Sequence, residues 1–304
     1  TYDNWFSEQS LLDSGDFDHV MSLLNQSKLV IDRDGARWFA SSRLGQDRDN
    51  VLFRSSGGGQ TYLATDIAYH YDKFIQRDFD QVIDVWGADH HGHVPALKSA
   101  MEALGIDPDR LTIVLNQIVS FKDGEEVKRL SKRRGAIVTV RQLIDDVGKD
   151  ACRFIFMSRS AEAQMEFDLN LVRKQTSENP VYYVQYAYAR LSSILRTAKD
   201  RRMVFADGDP ALLAHPLEME LIKQLVLLPE ILFVAADRLE PHHLPHYALD
   251  LARTLQRFYE ECRVISGDPK DLEVSKARLL LVDASRTVLE RVLGLMDMSK
   301  PESM

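Results

Sequence analysis

The change of hydrophobic period along the chain constrains its fold more than any other feature. Residues 81–121 run strand, helix, strand: "QVIDVWG" is β-rich and closes on Gly87, "VPALKSAMEALG" has helical spacing and ends on Gly105, and "RLTIVLNQIVSF" is β-branched again. Two strands joined through a helix within about 40 residues form a βαβ unit, which implies a parallel sheet. From residue 179 the pattern is helical throughout. "PVYYVQYAYARLSSILRTAKDRR", "HPLEMELIKQLVLLPEILFVAADR", "LPHYALDLARTLQRFYEECRVI" and "VSKARLLLVDASRTVLERVLGLM" are four or more amphipathic helices, separated by Pro, Gly and Asp segments at 207–210, 241–245 and 267–271. The expected fold class is therefore α/β followed by all-α.

The remaining segments are less regular. "FDHVMSLLNQ" reads as a short amphipathic helix, "LVIDRDGARWFAS" as a hairpin turning at Asp34-Gly35, and "SSGGGQ" as a turn or linker. "TVRQLIDDVG" and "DACRFIFMSRSA" read as short helices with Thr139 and Asp150 as N-caps. The expected segments are a connective region over 1–60, an α/β region over 61–178 and a helical region over 179–304.

Composition narrows the class. The 304 residues are 45% hydrophobic and 28% charged, as in ordinary globular proteins. No run of ~18 apolar residues exists, so no membrane span is expected. The first residues carry neither a basic n-region nor an apolar h-region, and they lack an initiator Met, so a piece of a longer protein is expected. Cys152 and Cys262 give neither a disulfide framework nor a zinc spacing, which suits a reducing cytoplasm. A net charge of -8 argues against indiscriminate nucleic-acid binding, although local basic patches still hold phosphates.

Four stretches carry chemistry. In "WGADHHGHVP", Asp89, His90, His91 and His93 crowd the carboxyl end of a strand, where open α/β sheets bind ligands. A metal site, a nucleotide site and a plain helix start all remain open there. His91 and His93 do not share a helix face, and no distant cluster completes a zinc set. In "EVKRLSKRRGAIVTV", Lys128, Arg129, Lys132, Arg133 and Arg134 fall within seven residues, which suits a polyphosphate or a solvated basic turn. In "TYLATDIAYH", Tyr62 and Asp66 are spaced i,i+4; a carboxylate and a flat polar neighbour suit a guanidinium, while an N-cap Asp with a core Tyr is the plain alternative. In "NPVYYVQYAYARL", Tyr182, Tyr186 and Arg190 form a stripe able to stack on unpaired bases, with Tyr183, Ala187 and Leu191 on a core-facing side.

Together these stretches resemble the arginyl-tRNA synthetases of class I. Arg129-Leu130-Ser131-Lys132-Arg133 resembles the KMSKS loop, with Arg for the first Lys and Leu for Met. "FSEQSL", "TYLATDIAYH", "VWGADHHGHVP", "VTVRQLIDDVGKDACRFIFMSRSA", "FDLNL", "NPVYYVQYAYAR" and "FYEECRV" look like that family in its order. "HHGH" superficially resembles the HIGH signature, but HIGH follows the first strand of the fold and lies far upstream of KMSKS. The segment better matches the family's later strand-end pattern Gly87-x-Asp89-x-x-x-His93.

The resemblance implies the second half of a Rossmann-like catalytic domain and a C-terminal helical anticodon-binding domain of the DALR type. It implies ATP-dependent arginylation of tRNA through arginyl adenylate. Arg129, Ser131, Lys132 and Arg133 would serve catalysis, and Gly87, Asp89, His90 and His93 the nucleotide. Tyr62, Asp66 and Asp89 would hold arginine, and Tyr182, Tyr186, Arg190, Tyr259 and Met304 would contact tRNA. ATP with its accompanying Mg2+, L-arginine and tRNA(Arg) are the implied ligands, with no tightly bound protein metal and a monomeric intact enzyme. Lacking the HIGH half, the isolated chain is expected to form adenylate poorly. The alternative is a stand-alone RNA-binding module without adenylate chemistry; a histidine-metal hydrolase ranks last.

Overall fold

The computed structural model describes residues 2–54, 59–123, 126–129 and 139–304. Packing divides the chain into two compact units, Thr1–Ile118 and Val119–Met304. The segment boundaries at 60 and 178 follow composition and period, whereas this division follows contacts.

The first unit opens with helices α1 (Glu8–Asp13) and α2 (Asp16–Gln26) and the antiparallel strands β1 (Val30–Arg33), β2 (Ala36–Phe39) and β3 (Asn50–Phe53). The hairpin turns at Asp34-Gly35, both at positive φ (55° and 71°), as a two-residue turn between twisted strands requires. Helix α3 (Tyr62–Tyr71) continues as a single π-helical turn over Asp72–Gln76. The expected βαβ unit follows: β4 (Val82–Gly87), a 3-10 turn over Ala88–His93, α4 (Val94–Ala103) and β5 (Leu111–Asn116). Strands β4 and β5 pair in parallel, from Val82↔Leu111 to Gly87↔Asn116. The core of this unit joins Phe17, Leu24, Phe39, Ile67, Phe74, Leu97 and Met101.

The second unit begins with β6 (Val119–Asp123) and β7 (Glu126–Arg129). It continues through α5 (Val140–Val147), α6 (Lys149–Met157), β8 (Met165–Asp168) and α7 (Leu169–Arg173). The sheet order is β7-β6-β8, antiparallel then parallel. Thr139 caps α5 with a capping box to Gln142, as its sequence suggests. Asp150 does not cap α6. Gly148, at φ 84°, takes the N-cap position, and Asp150 sits in the first turn with its carboxylate turned to the C-terminal tail.

The bundle comprises α8 (Pro180–Asp200), α9 (Pro216–Val226), α10 (Leu228–Asp237), α11 (His243–Glu261) and α12 (Leu272–Leu295). The segment that reads as one helix over 215–238 is two. Pro229 lacks the donor that would reach Leu225, and its ring crowds that carbonyl, so the helix breaks at Leu227. The core of this unit runs from Phe154 and Phe167 through Leu251, Phe258 and Leu289.

Candidate functional site

In the first unit, α3 sets two candidate residues on one face. Thr61, extended at φ -88° and ψ 164°, is the N-cap, and its hydroxyl donates to the Val51 carbonyl at 2.8 Å, fixing the helix start to β3. Leu63, Ala64, Ile67 and Ala68 turn into the core. Tyr62 is 80% exposed, and Asp66, one turn on, is half-buried. The plain alternative of an N-cap Asp and a core Tyr is therefore not what the chain adopts. Among the described residues the Asp66 carboxylate has no hydrogen-bond partner. Burial pushes that carboxyl above its ordinary value; His70 opposes the shift, Glu8 and Asp84 reinforce it, and His93 opposes it.

Below Asp66 lies a polar group that sequence reasoning missed. His70 is 2% exposed, with Nδ1 2.7 Å from the Asp66 carbonyl and Nε2 2.7 Å from Asp84 Oδ2. Lys73 donates to Asp84 Oδ1 at 2.7 Å. Nδ1 thus faces a carbonyl oxygen, while Nε2 lies between the Asp84 carboxylate and the Lys73 ammonium, 3.4 Å away. Burial pushes the Asp84 carboxyl up, but the hydrogen bonds and charges of His70 and Lys73 outweigh it and hold the group below its ordinary value. Strand β4 alternates, with Val82 and Asp84 buried while Ile83 and Val85 are exposed. A lone acid between apolar residues in "VIDVW" is the only sequence sign of this.

The histidine stretch lies at the carboxyl end of β4, as its sequence suggests. No residue of the 3-10 turn is buried. Gly87 lets the Asp89 side chain come close: a Cβ there would meet Asp89 Oδ1 at 2.6 Å, and that exposed side chain would have to move aside. Asp89 and His90 side chains are 74% and 60% exposed, with His90 Nε2 3.8 Å from Asp89 Oδ1. The His90 and His93 rings, i,i+3 on a tight helix, lie 6.0 Å apart. His91 is held aside by a 3.0 Å contact from Nδ1 to the Ala88 carbonyl. Carboxylate and imidazoles therefore stand open at a strand end. Arg129 is the last residue of β7. Ser131, Lys132 and Arg133 lie outside the described residues.

In the second unit, Asn179 caps α8, accepting from the Val181 amide at 3.0 Å and donating to the Val172 and Lys174 carbonyls at 2.8 Å each. This fixes the rotation of the helix. Tyr182 and Tyr186 stack with centroids 6.2 Å apart and planes 16° apart. Arg190 donates to the Tyr186 hydroxyl at 2.5 Å, and its guanidinium lies 3.8 Å from the centre of the Tyr259 ring. Val184, Tyr188 and Leu191 are buried, and Tyr183 and Ala187 pack on the core.

The C-terminal tail is tied down by Asp150. That carboxylate accepts from the Ser299 amide at 3.1 Å, from the Ser299 hydroxyl, and from Gln185 at 2.7 Å. Arg196 donates to the Glu302 carbonyl at 3.1 Å. Met304 is thereby brought to a groove of about 390 Å³ that Tyr186, Arg190 and Tyr259 also line. Tyr182 lines a second groove of about 670 Å³ with Lys149, Lys174 and Met304.

Comparison with known proteins accounts for both units. Residues 7–193 match the family model of tRNA synthetases class I (R), catalytic domain, and residues 184–304 match the DALR anticodon binding domain. An arginine–tRNA ligase of Dehalococcoides mccartyi is 52% identical over 303 residues, covering 100% of this chain and 54% of its own. A Campylobacter jejuni crystal structure superposes with a TM-score of 0.85 at 30% identity, covering 100% of this chain and 65% of the other. The Thermus thermophilus arginyl-tRNA synthetase shares the fold, with a TM-score of 0.77 at 22% identity, covering 97% of this chain and 59% of its own. The chain spans about half the length of the curated relatives it matches. By its catalytic-domain match over more than half its length, the chain belongs to the class I arginyl-tRNA synthetase family.

Proposed function

We propose that the chain contributes to an arginine–tRNA ligase, supplying the guanidinium pocket, part of the nucleotide site and the anticodon-end contacts. The observation that carries this is the half-buried Asp66 carboxylate, unpaired among the described residues and one turn from an exposed Tyr62. A buried carboxylate without a partner is costly, and a planar guanidinium offsets that cost with two parallel donors. Tyr62 supplies a flat neighbour for the same group.

The chemistry assigned to the whole enzyme has two steps. The arginine carboxylate attacks the α-phosphorus of ATP, releasing pyrophosphate with its accompanying Mg2+. A ribose hydroxyl at the tRNA 3'-end then attacks the adenylate carbonyl, releasing AMP. Lys132, with Arg129, Ser131 and Arg133, offsets charge developing on the phosphates. Asp89 accepts from a ribose hydroxyl or a substrate donor, and Gly87, His90 and His93 line the nucleotide end. Tyr182, Tyr186, Arg190, Tyr259 and Met304 receive unpaired tRNA bases by stacking and charge. The same proposal takes the intact enzyme as a monomer working in the cytoplasm. Among the described residues no helix is long and apolar enough to cross a membrane.

The test is calorimetric titration of the chain with arginine and with citrulline, its uncharged isostere, for the native sequence and Asp66→Asn. Preference for arginine that vanishes in the variant is expected. Equal affinity for the two ligands, or an unchanged preference in the variant, refutes the pocket. If arginine-accepting tRNA still binds in that case, the RNA-module alternative takes its place.

A further inference from the structure

The turn between α10 and α11 gathers side chains that none of the chemistry above uses. Helix α10 closes on Leu239, which adopts a left-handed conformation at φ 56°. The Glu240 amide donates to the Ala235 carbonyl at 2.9 Å and the Leu239 amide to Ala236 at 3.4 Å, the paired bonds of a Schellman closure. Glu240, Pro241 and His242 then form a tight turn, and His243 begins α11.

Glu240, His242 and His243 each offer one ligand atom, and those atoms lie within 4.8 Å of one another. Among the described residues no other three His, Cys, Asp or Glu side chains do so. The exposed Asp89, His90, His91 and His93 do not converge in this way, although their sequence draws the eye first. All three side chains of the α10–α11 turn are half-buried. His243 Nε2 is 3.0 Å from Glu240 Oε2, and the His242 and His243 rings stack at 4.5 Å. His242 Nδ1 is buried and has no hydrogen-bond partner. Buried polar atoms are rarely left so, and an orphaned imidazole nitrogen beside another imidazole and a carboxylate points to an absent electrophile.

We propose that Glu240, His242 and His243 bind a divalent cation of the zinc class, with water completing the coordination. The sequence alone suggested no protein metal. Two imidazole nitrogens and one carboxylate oxygen are the donors of a borderline ion such as Zn2+; Mg2+ and Ca2+ require oxygen ligands. Zinc–ligand bonds of roughly 2.0–2.2 Å place neighbouring donors closer together than 4.8 Å, so the ligand atoms draw in by about an ångström on binding. The ion links the end of α10 to the first turn of α11. Because it binds only the folded arrangement, it stabilises the bundle.

The test is titration of chelator-treated chain with ZnCl2, and with MgCl2 as control, alongside the unfolding midpoint in each. Glu240→Gln and His243→Gln keep side-chain size, and circular dichroism checks that they fold. His91→Gln with His93→Gln removes the competing exposed histidines. One equivalent of Zn2+ is expected, with a raised midpoint and no response to Mg2+. Each single variant should weaken zinc about tenfold or more, and the double variant should leave it unchanged. Absence of stoichiometric zinc, its retention in both single variants, or its loss in the double variant would each overturn the site. The arginine pocket stands or falls independently of this result.

Discussion

Asp84→Asn tests the buried polar group beneath the proposed arginine pocket. The substitution preserves shape but removes the carboxylate that faces His70 Nε2 at 2.7 Å and the Lys73 ammonium at 2.7 Å. The side chains of His70, Lys73 and Asp84 are 2%, 12% and 10% exposed, so solvent screens little of the loss. Removing one partner from a buried ion pair costs about 3–5 kcal/mol; with the small residual exposure here, the expectation is about 2–4 kcal/mol. For a urea slope of roughly 1.5–2 kcal/mol per molar, the midpoint of the first unit falls by about 1–3 M. The sequence provides its own reporter. All three tryptophans, Trp5, Trp38 and Trp86, belong to the first unit, whereas the long helices that dominate far-ultraviolet dichroism belong to the second. Tryptophan fluorescence should shift to lower urea while the dichroism transition stays in place. An unmoved fluorescence midpoint would refute the claim that Asp84 compensates the buried Lys73 ammonium and holds the His70 ring. The sign with pH follows. Asp84 titrates below its ordinary value of 3.8, so its contribution is present above that value and is lost as pH falls through the lower folded one.

Asp66→Asn should have the opposite effect on stability. Its carboxyl titrates above 3.8 because of burial, so the charged form costs stability that is regained as pH falls through the raised folded value. The variant should be no less stable at pH 7, and slightly more so by urea unfolding, while arginine affinity falls at least about thirtyfold, equivalent to about 2 kcal/mol. Arg190→Ala should weaken tRNA binding and lower its salt slope by about one, measured by filter binding across salt concentrations. Arg190→Lys should restore the slope but not the affinity, because an ammonium does not reproduce the planar contact 3.8 Å from Tyr259. Asp150→Ala should increase amide exchange at Ser299 and the residues after it, with α6 unchanged.

What the sequence discloses depends on the range of the interaction. The βαβ unit, the Asp34-Gly35 hairpin and the Thr139 cap rest on residues within a few positions of each other, and periodicity and turn chemistry are written at that range. Tyr62 with Asp66, and Tyr186 with Arg190, were likewise legible as one-turn pairs, although the roles given to them came from family resemblance. The polar group under Asp66 was not legible. Apolar residues stand on both faces of β4, so period two does not choose the inward one; Val82 and Asp84 face in, Ile83 and Val85 are exposed, and Asp84 finds His70 and Lys73 across 14 and 11 residues. The anchoring of Ser299 spans 149 residues and leaves no local mark, so Asp150 read as a cap. The metal-binding turn was overlooked because Glu240 and His242–His243 straddle a helix boundary, where neither helical nor strand spacing applies.

Gly87 contributes by what it lacks. The space where its Cβ would stand is occupied by Asp89 Oδ1, 2.6 Å away. Scanning mutagenesis with alanine finds functional residues by subtraction, yet here alanine is an addition. Because the displaced atom is the free end of an exposed side chain, Gly87→Ala would fold normally and redirect the Asp89 carboxylate. Its signature would be altered nucleotide binding in a protein of normal stability, the profile usually credited to a lost contact. The position of the carboxylate is thus encoded two residues away, in a side chain of no atoms beyond hydrogen.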